Sequence, residues 1–464
     1  MQKKKILLNA FSMNCVNHIN HGLWTHPRDE SENYNDIAYW TDLAKVLERG
    51  KFDGLFLADI VGVYDVYQDS VNLTLRESIQ LPVNDPLMLI SAMAHVTQHL
   101  GFGVTVNLSY EQPFLFARKL STLDHLTKGR IGWNIVTGYL ESAAKAVGLS
   151  TQLDHDQRYD RADEFMEVVY KLWEGCWEDD AVLRDRNRRI YAQPDRVHKI
   201  IHHGDYYHVD AIHLSEPSLQ RTPVLYQAGS SGRGQVFAGR HAESIFISSQ
   251  TKEAARKVVA SARQAAIAQG REANDVKVFM GLTVVVAPTE KEAWDLYREY
   301  SEYASPEAGL AHFSSGTGID FSKYEMDEPI RAVKNNAIES LTKAITNPDL
   351  EWTKRKLLDQ LALGGRYATI IGSPSQVADA LEDWMRDTDI DGFNLTRTVS
   401  PESFVAFVDL VIPELQRRGI YKTDYEEGSL RQKMFGNGNR LPEQHISARY
   451  RHHDRANSVL DVAV

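Results

Sequence analysis

GFGVTVNLSYEQPFLFARKLSTLDHLTKGRIGWNIVTG, residues 101–138, reads as a strand, a helix and a second strand. Its ends, GFGVTVNL (101–108) and RIGWNIVTG (130–138), are short and apolar, without the alternation of a sheet wetted on one face. Between them Pro113 stands where a helix tolerates proline, in its first turn, and Gly129 stands where a helix stops. Strands buried on both faces and joined by a helical crossover are parallel.

The same unit recurs on either side. KILLNAF (5–11) and FDGLFLAD (52–59) are strand-like, and Trp40, Leu43 and Leu47 lie on one helical face between them. Asp85 followed by Pro86 opens the next helix as cap and first residue. Further strands are expected at VLYQAG (224–229), SIFIS (244–248), 276–287 and DGFNL (391–395). Residues 367–372 follow an irregular stretch and read as a lead-in to the helix opened by Ser373-Pro374. Eight βα units then remain, which favours a closed (β/α)₈ TIM barrel over an open sheet. Residues 180–222 and 304–363 lack the rhythm and are expected to be loop insertions in a single domain spanning 1–464. The polar tail, 419–464, is expected to wrap the surface or a subunit partner.

Composition narrows the function. The chain of 464 residues is 43% hydrophobic and 25% charged, with a net charge of −11. An acidic average field disfavours nucleic acid and anionic membrane as partners. The apolar run at 278–287 falls far short of the roughly 20 residues that span a bilayer. MQKKKILLNAF has too brief an apolar segment for a secretory signal, and two cysteines make no disulfide framework, so a cytoplasmic protein is expected.

A barrel of this kind carries its chemistry at the C-terminal ends of its strands. That selects Asn14, Cys15 and His18, then Asp59 and Tyr64, Thr105 and Asn107, Thr137 and Tyr139, and finally Gly229, Ser230 and Ser231. QAGSSGRG (227–234) runs from a strand through small residues into a helix, which suits a phosphate as well as it suits a plain turn. In HDQRYDRADEF (155–165), His155 and Tyr159 share a helical face and could bind an anion. Read in isolation, a solvated helix start with Arg158 and Arg161 is the commoner outcome. The cluster Cys15, His18 and His21 has no second ligand pair at zinc spacing, so no metal is expected. His312 is a candidate on a lid.

NAFSMNCVNHINHGLWTHP (9–27), LERGKFDGLFLADIVGVYDVY (47–67), STLDHLTKGRIGWNIVT (121–137), LDHDQRYDRADEFMEVVYKLWEG (153–175) and EPSLQRTPVLYQAGSSGRG (216–234) together resemble the bacterial-luciferase-like, FMN-dependent monooxygenases. The subgroup is that of the nitrilotriacetate and dibenzothiophene-sulfone enzymes. The resemblance runs in order along nearly the whole chain. It is strongest to the branch acting on long-chain alkanes, tail 419–451 included, and next to the branch acting on dimethyl sulfide.

The resemblance implies a two-component enzyme. A separate NAD(P)H-dependent reductase supplies reduced FMN, which reacts with O₂ to oxygenate an apolar small molecule, and the chain forms a homodimer or homotetramer. It puts Asp59 and Thr105 near the flavin ring, and His155, Tyr159, Ser230 and Ser231 at its phosphate, with Thr137 and Gly229 as further cofactor contacts. It makes His18, Cys15, Tyr64, Tyr139 and His312 the catalytic candidates, with Gln80 and Asn84 lining the pocket. Such chemistry needs water excluded and protons placed. The alkane branch carries a histidine where this chain has Tyr139 in TGYLESA, whereas the dimethyl sulfide branch carries tyrosine. The alternatives implied are oxygenation of an organosulfur compound, or flavin binding without oxygenation.

Overall fold

The computed structural model describes residues 4–228, 232–331, 337–338, 341–342, 345–346, 351–365 and 367–452. Strands β1 (Leu7–Met13), β2 (Gly54–Ala58), β3 (Gly101–Asn107) and β4 (Ile131–Val136) lie side by side in chain order, all parallel. Two antiparallel hairpins then intervene, β5 (Val182–Asp185) with β6 (Ile190–Ala192) and β7 (Ile200–His203) with β8 (His208–Ala211). The parallel series resumes with β9 (Val224–Gln227), β10 (Ser244–Ile247) and β11 (Lys277–Val286). After β12 (Ala368–Gly372), β13 (Gly392–Thr396) pairs with both β11 and β1 and closes an eight-stranded barrel.

The eight segments expected to be strands are the eight staves of that barrel. Residues 367–372 correct the reading: β12 is a ninth parallel strand, paired with the outer half of β11 from Leu282 to Val286. Its apolar run is strand-like, but its place after an insertion, outside the βα series, hides it, and three of its five residues are only half-buried.

The helices follow their local signals. Helix Ile37–Arg49 buries Trp40, Leu43 and Leu47 on one face and is capped by Asp36, which accepts from Ala38 N. Helix Leu87–His95 starts one residue later than expected, yet Asp85 still accepts from its first N–H at 2.8 Å. Between staves and helices lies the main core, where Trp133 meets Trp173 edge to face and Phe116 and Phe165 at a tilt.

Two other clusters position the site. Helices Pro306–Thr317 and Lys354–Gln360, from the second irregular segment, pack on Tyr64, Tyr67, Leu73, Ile79 and Leu140 and form a wall above the strands' C-terminal ends. At the opposite end the tail does more than wrap the surface. Helix Leu430–Phe435 drives Leu430 and Met434 against Phe56, Val224, Tyr226 and Phe279, and Tyr226 Oη donates to Met434 Sδ at 3.4 Å. Each such buried side chain contributes roughly 1.5–3 kcal/mol. Gly101 is needed beneath this helix, because a Cβ there would stand 2.5 Å from Leu430 Cδ1. No helix among the described residues is long and apolar enough to cross a membrane.

Candidate active site

A cavity of about 650 Å³ opens at the C-terminal ends of the strands. Its walls come from Met13 of β1, Ala58 of β2, Thr105 and Asn107 of β3, Val136 of β4, Gln227 of β9 and Ile247 of β10. The volume is in the range of sites that enclose a cofactor-sized ligand, roughly 300–1,000 Å³.

One end is built to take an anion. The first turn of helix His155–Gly175 contributes His155, Arg158 and Tyr159 to the wall. Its N-terminal N–H groups and dipole favour negative charge there. Arg158 is 2% exposed, so the reading of a solvated helix start is corrected: the side chain turns inward. Desolvation pulls its pKa below the ordinary value, and Tyr159, Tyr110 and Asp154 recover only part of the loss. Arg161 stays outside the cavity and donates to Tyr207 Oη at 2.8 Å. Tyr159 is clamped between His155, ring to ring at 5.2 Å, and the Arg233 guanidinium, 5.8 Å over its face. Gly229, Ser230 and Ser231 lie outside the described residues, but the helix that follows them, Gly232–His241, sends Gln235, Phe237 and Ala238 to the same end.

The middle of the cavity is a polar strip on the strands. Asn134 Nδ2 donates to Thr105 Oγ1 at 2.9 Å. The Asn134 carbonyl oxygen and Gln227 Oε1 are buried with no donor among the described residues. Buried acceptors left unmet are costly unless a ligand supplies the N–H. Asp59 closes β2 beside them, and burial pushes its carboxyl up to about 7 against the backbone N–H of Ile60. Near neutral pH it is a carboxyl able both to hold and to release a proton. Thr137 lines the same strip.

The other end holds a row of rings. His21 Nε2 lies 3.0 Å from His312 Nδ1, the His312 ring lies 4.8 Å from that of Tyr64, and Tyr64 Oη donates to Gln80 Oε1 at 2.7 Å. All four line the cavity, with Tyr139 and with His18, whose ring meets Phe11 edge-on at 4.5 Å. Apolar residues Ile19, Phe313, Ile338, Leu341 and Leu361 complete this end.

Three expected residues are elsewhere, the first being Asn14, which is buried off the cavity wall and donates to Asp85 O at 3.3 Å. Cys15 is fully buried behind the wall, its thiol donating to Asn17 O at 2.9 Å, and desolvation pushes it up to about 12 despite Arg397. Such a thiol supplies neither a nucleophile nor a proton to the cavity. Asn84 is exposed and donates to Asn35 Oδ1 at 2.6 Å, so it lines no pocket. Conversely, Arg158, Asn134, Gln227 and His21 belong to the site without having been assigned a place in it. Far from the cavity, Glu178, His198 and His452 come close enough to share a metal ion. Their polar atoms are already engaged: Glu178 with Arg196 and His198, and His452 Nε2 with Gly175 O at 2.7 Å.

A family model described as luciferase-like monooxygenase matches residues 13–392. The chain belongs to the luciferase-like monooxygenases. It is 50% identical to the long-chain alkane monooxygenase of Geobacillus thermodenitrificans (strain NG80-2), over 97% of this chain and 98% of that one. It is 49% identical to the dimethyl-sulfide monooxygenase of Hyphomicrobium sulfonivorans, over 97% and 94%. The crystal structure of a long-chain alkane monooxygenase superposes with a TM-score of 0.91 at 49% identity, covering 97% of this chain and all of that one. Like its family, the protein is a flavin-dependent monooxygenase.

The cavity of this luciferase-like monooxygenase fits a flavin. The unmet oxygens of Asn134 and Gln227 suit ring N–H groups, and the inward Arg158 with His155 and Tyr159 suits a phosphate. The apolar end beyond His312 leaves room for a second molecule.

Proposed function

We propose that the chain is the oxygenase of a two-component system, taking reduced FMN from a separate NAD(P)H-dependent flavin reductase. O₂ and an apolar small molecule are its other substrates, and it works in the cytoplasm as a homodimer or homotetramer. The observation that carries this reading is the polarity of the cavity: a buried arginine at one end, apolar side chains at the other, and a carboxyl near pH 7 between them. Bound reduced flavin supplies the electron pair with which O₂ gives one atom to the substrate and the other to water.

The chain's own residues divide the remaining work. His155, Arg158 and Tyr159, with Ser230 and Ser231, hold the phosphate. Thr105, Asn134 and Gln227 would hold the ring through hydrogen bonds from the strands. Asp59 would hold and release a proton beside it. His18, Tyr64, Tyr139 and His312 face the substrate, orient it and place hydrogen bonds toward the reacting oxygen. Ile338, Leu341, Phe313 and Leu361 exclude water from that end.

Long-chain alkanes are the first substrate class, supported by the apolar end and by the alkane relative. Dimethyl sulfide or another organosulfur compound is the second reading, favoured by Tyr139. The test couples the enzyme to a generic flavin reductase with NADH, FMN and O₂, and follows products from hexadecane, dimethyl sulfide and dibenzothiophene sulfone. An alcohol from hexadecane supports the first class, and a product from either sulfur compound supports the second. Peroxide alone with all three would sink both.

A further inference from the structure

We infer that His21 is a positioning residue, holding His312 in the tautomer whose Nε2 carries the proton. The inference rests on the reading that His312 faces the substrate.

The two histidines are brought together by backbone contacts rather than by side-chain chance. Ser305 N, which opens helix Pro306–Thr317, donates to His21 O at 2.9 Å. Beside it Gly22 passes so close that a Cβ would stand 2.3 Å from Tyr303 O. Loop and helix are thus in register before any ligand arrives, and His21 Nε2 meets His312 Nδ1 at 3.0 Å.

The proton between them can sit in only one place at low cost. His21 is buried at 2% exposure, and desolvation takes its pKa down to about 3, so its ring is neutral and carries one proton. Its Nδ1 is buried with no partner among the described residues. A proton there would be an orphaned N–H, and buried donors are left unpaired less often than buried acceptors. The proton therefore sits on Nε2 and is donated to His312 Nδ1. His312, accepting at Nδ1, must carry its own proton on Nε2 when neutral. Tyr64, stacked at a tilt on His312, has already committed its hydroxyl proton to Gln80. His312 is thereby set to donate from Nε2.

The test uses the full chain labelled with ¹⁵N at histidine, without flavin. Long-range ¹H–¹⁵N correlations, with His312 assigned from its loss in His312→Ala, should show the Nε2–H tautomer. In His21→Leu that pattern should collapse to a mixture, and in His21→Gln, whose amide N–H still reaches His312, it should persist. An Nδ1–H tautomer in the wild type, or a pattern unmoved in His21→Leu, overturns the inference. In the coupled assay, using whichever of hexadecane or dimethyl sulfide is turned over, His21→Leu should lower kcat about tenfold with KM for reduced FMN unchanged, the scale of one hydrogen bond. His21→Gln should restore most of it. The double variant His21→Leu/His312→Ala should be no worse than His312→Ala alone. If His312→Ala itself leaves turnover intact, the reading of His312 fails. If only His21→Leu does so, His21 as positioner fails.

Discussion

Two buried arginines mark the two ends of the barrel and show what each end is for. At the floor, Arg431 donates to Glu243 at 2.6 and 2.9 Å and to the carbonyls of Thr222, Pro223 and Asn439. Desolvation opposes its charge, but Glu243, Glu174 and Asp124 together outweigh it and its pKa stays above the ordinary value. At the mouth, Arg158 is equally buried, yet desolvation wins and its pKa falls. The floor is complete within the chain. At the mouth, burial still weighs against the charge, and an entering anion would relieve it.

The same substitution should therefore break the two ends differently. Arg431→Met leaves Glu243 buried without its partner, and should cost about 3–5 kcal/mol of stability, read as a shift in urea midpoint. Arg158→Met removes a charge that burial already disfavours, so it should lower the urea midpoint less than Arg431→Met does. Its loss should appear in a fluorescence titration with reduced FMN, as affinity weakened by about 1.5–3 kcal/mol, the scale of hydrogen bonds to a charged group. A stable Arg431→Met, or an Arg158→Met that binds flavin normally, would erase the contrast.

Asp59 sharpens it further. Its pKa rises from 3.8 unfolded to about 7 in the fold, so between those values the native state holds a proton that the unfolded chain has released. Stability contributed by this group is full below about pH 4 and is lost as pH climbs through 7. Asp59→Asn should flatten that slope, measured as melting temperature against pH. The smallest effect belongs to Cys15: Cys15→Ser should leave flavin affinity and turnover within about twofold, as expected for a group outside the cavity.

How much of this could be read from the amino acids follows from where each signal lives. The eight staves were legible because strands buried on both faces are apolar runs, as at 101–108 and 130–138. Strand β12 was read as a helix lead-in, since it follows an insertion, lies outside the barrel and is half-wet. The small hairpins β5–β8 were hidden for the same reason, with many side chains exposed. In the site, residues at strand ends were legible once the barrel was. Arg158 and Arg431 were not, because a charge in a polar stretch reads as solvated and only the tertiary fold shows it buried. His21 shows the limit most clearly: its partner is 291 residues away.

The floor also sets a timetable. The barrel closes between Leu7–Phe11 of its first strand and Gly392–Thr396 of its last, and its base is filled by Leu430 and Met434. A ribosome working at roughly 5–20 residues per second needs tens of seconds between making the first of these and the last. Once made, Phe56 and Tyr226 wait for Leu430 and Met434, which do not yet exist. The nascent chain is thus the form most exposed to aggregation, and the last segments to be synthesised are the ones that end the risk.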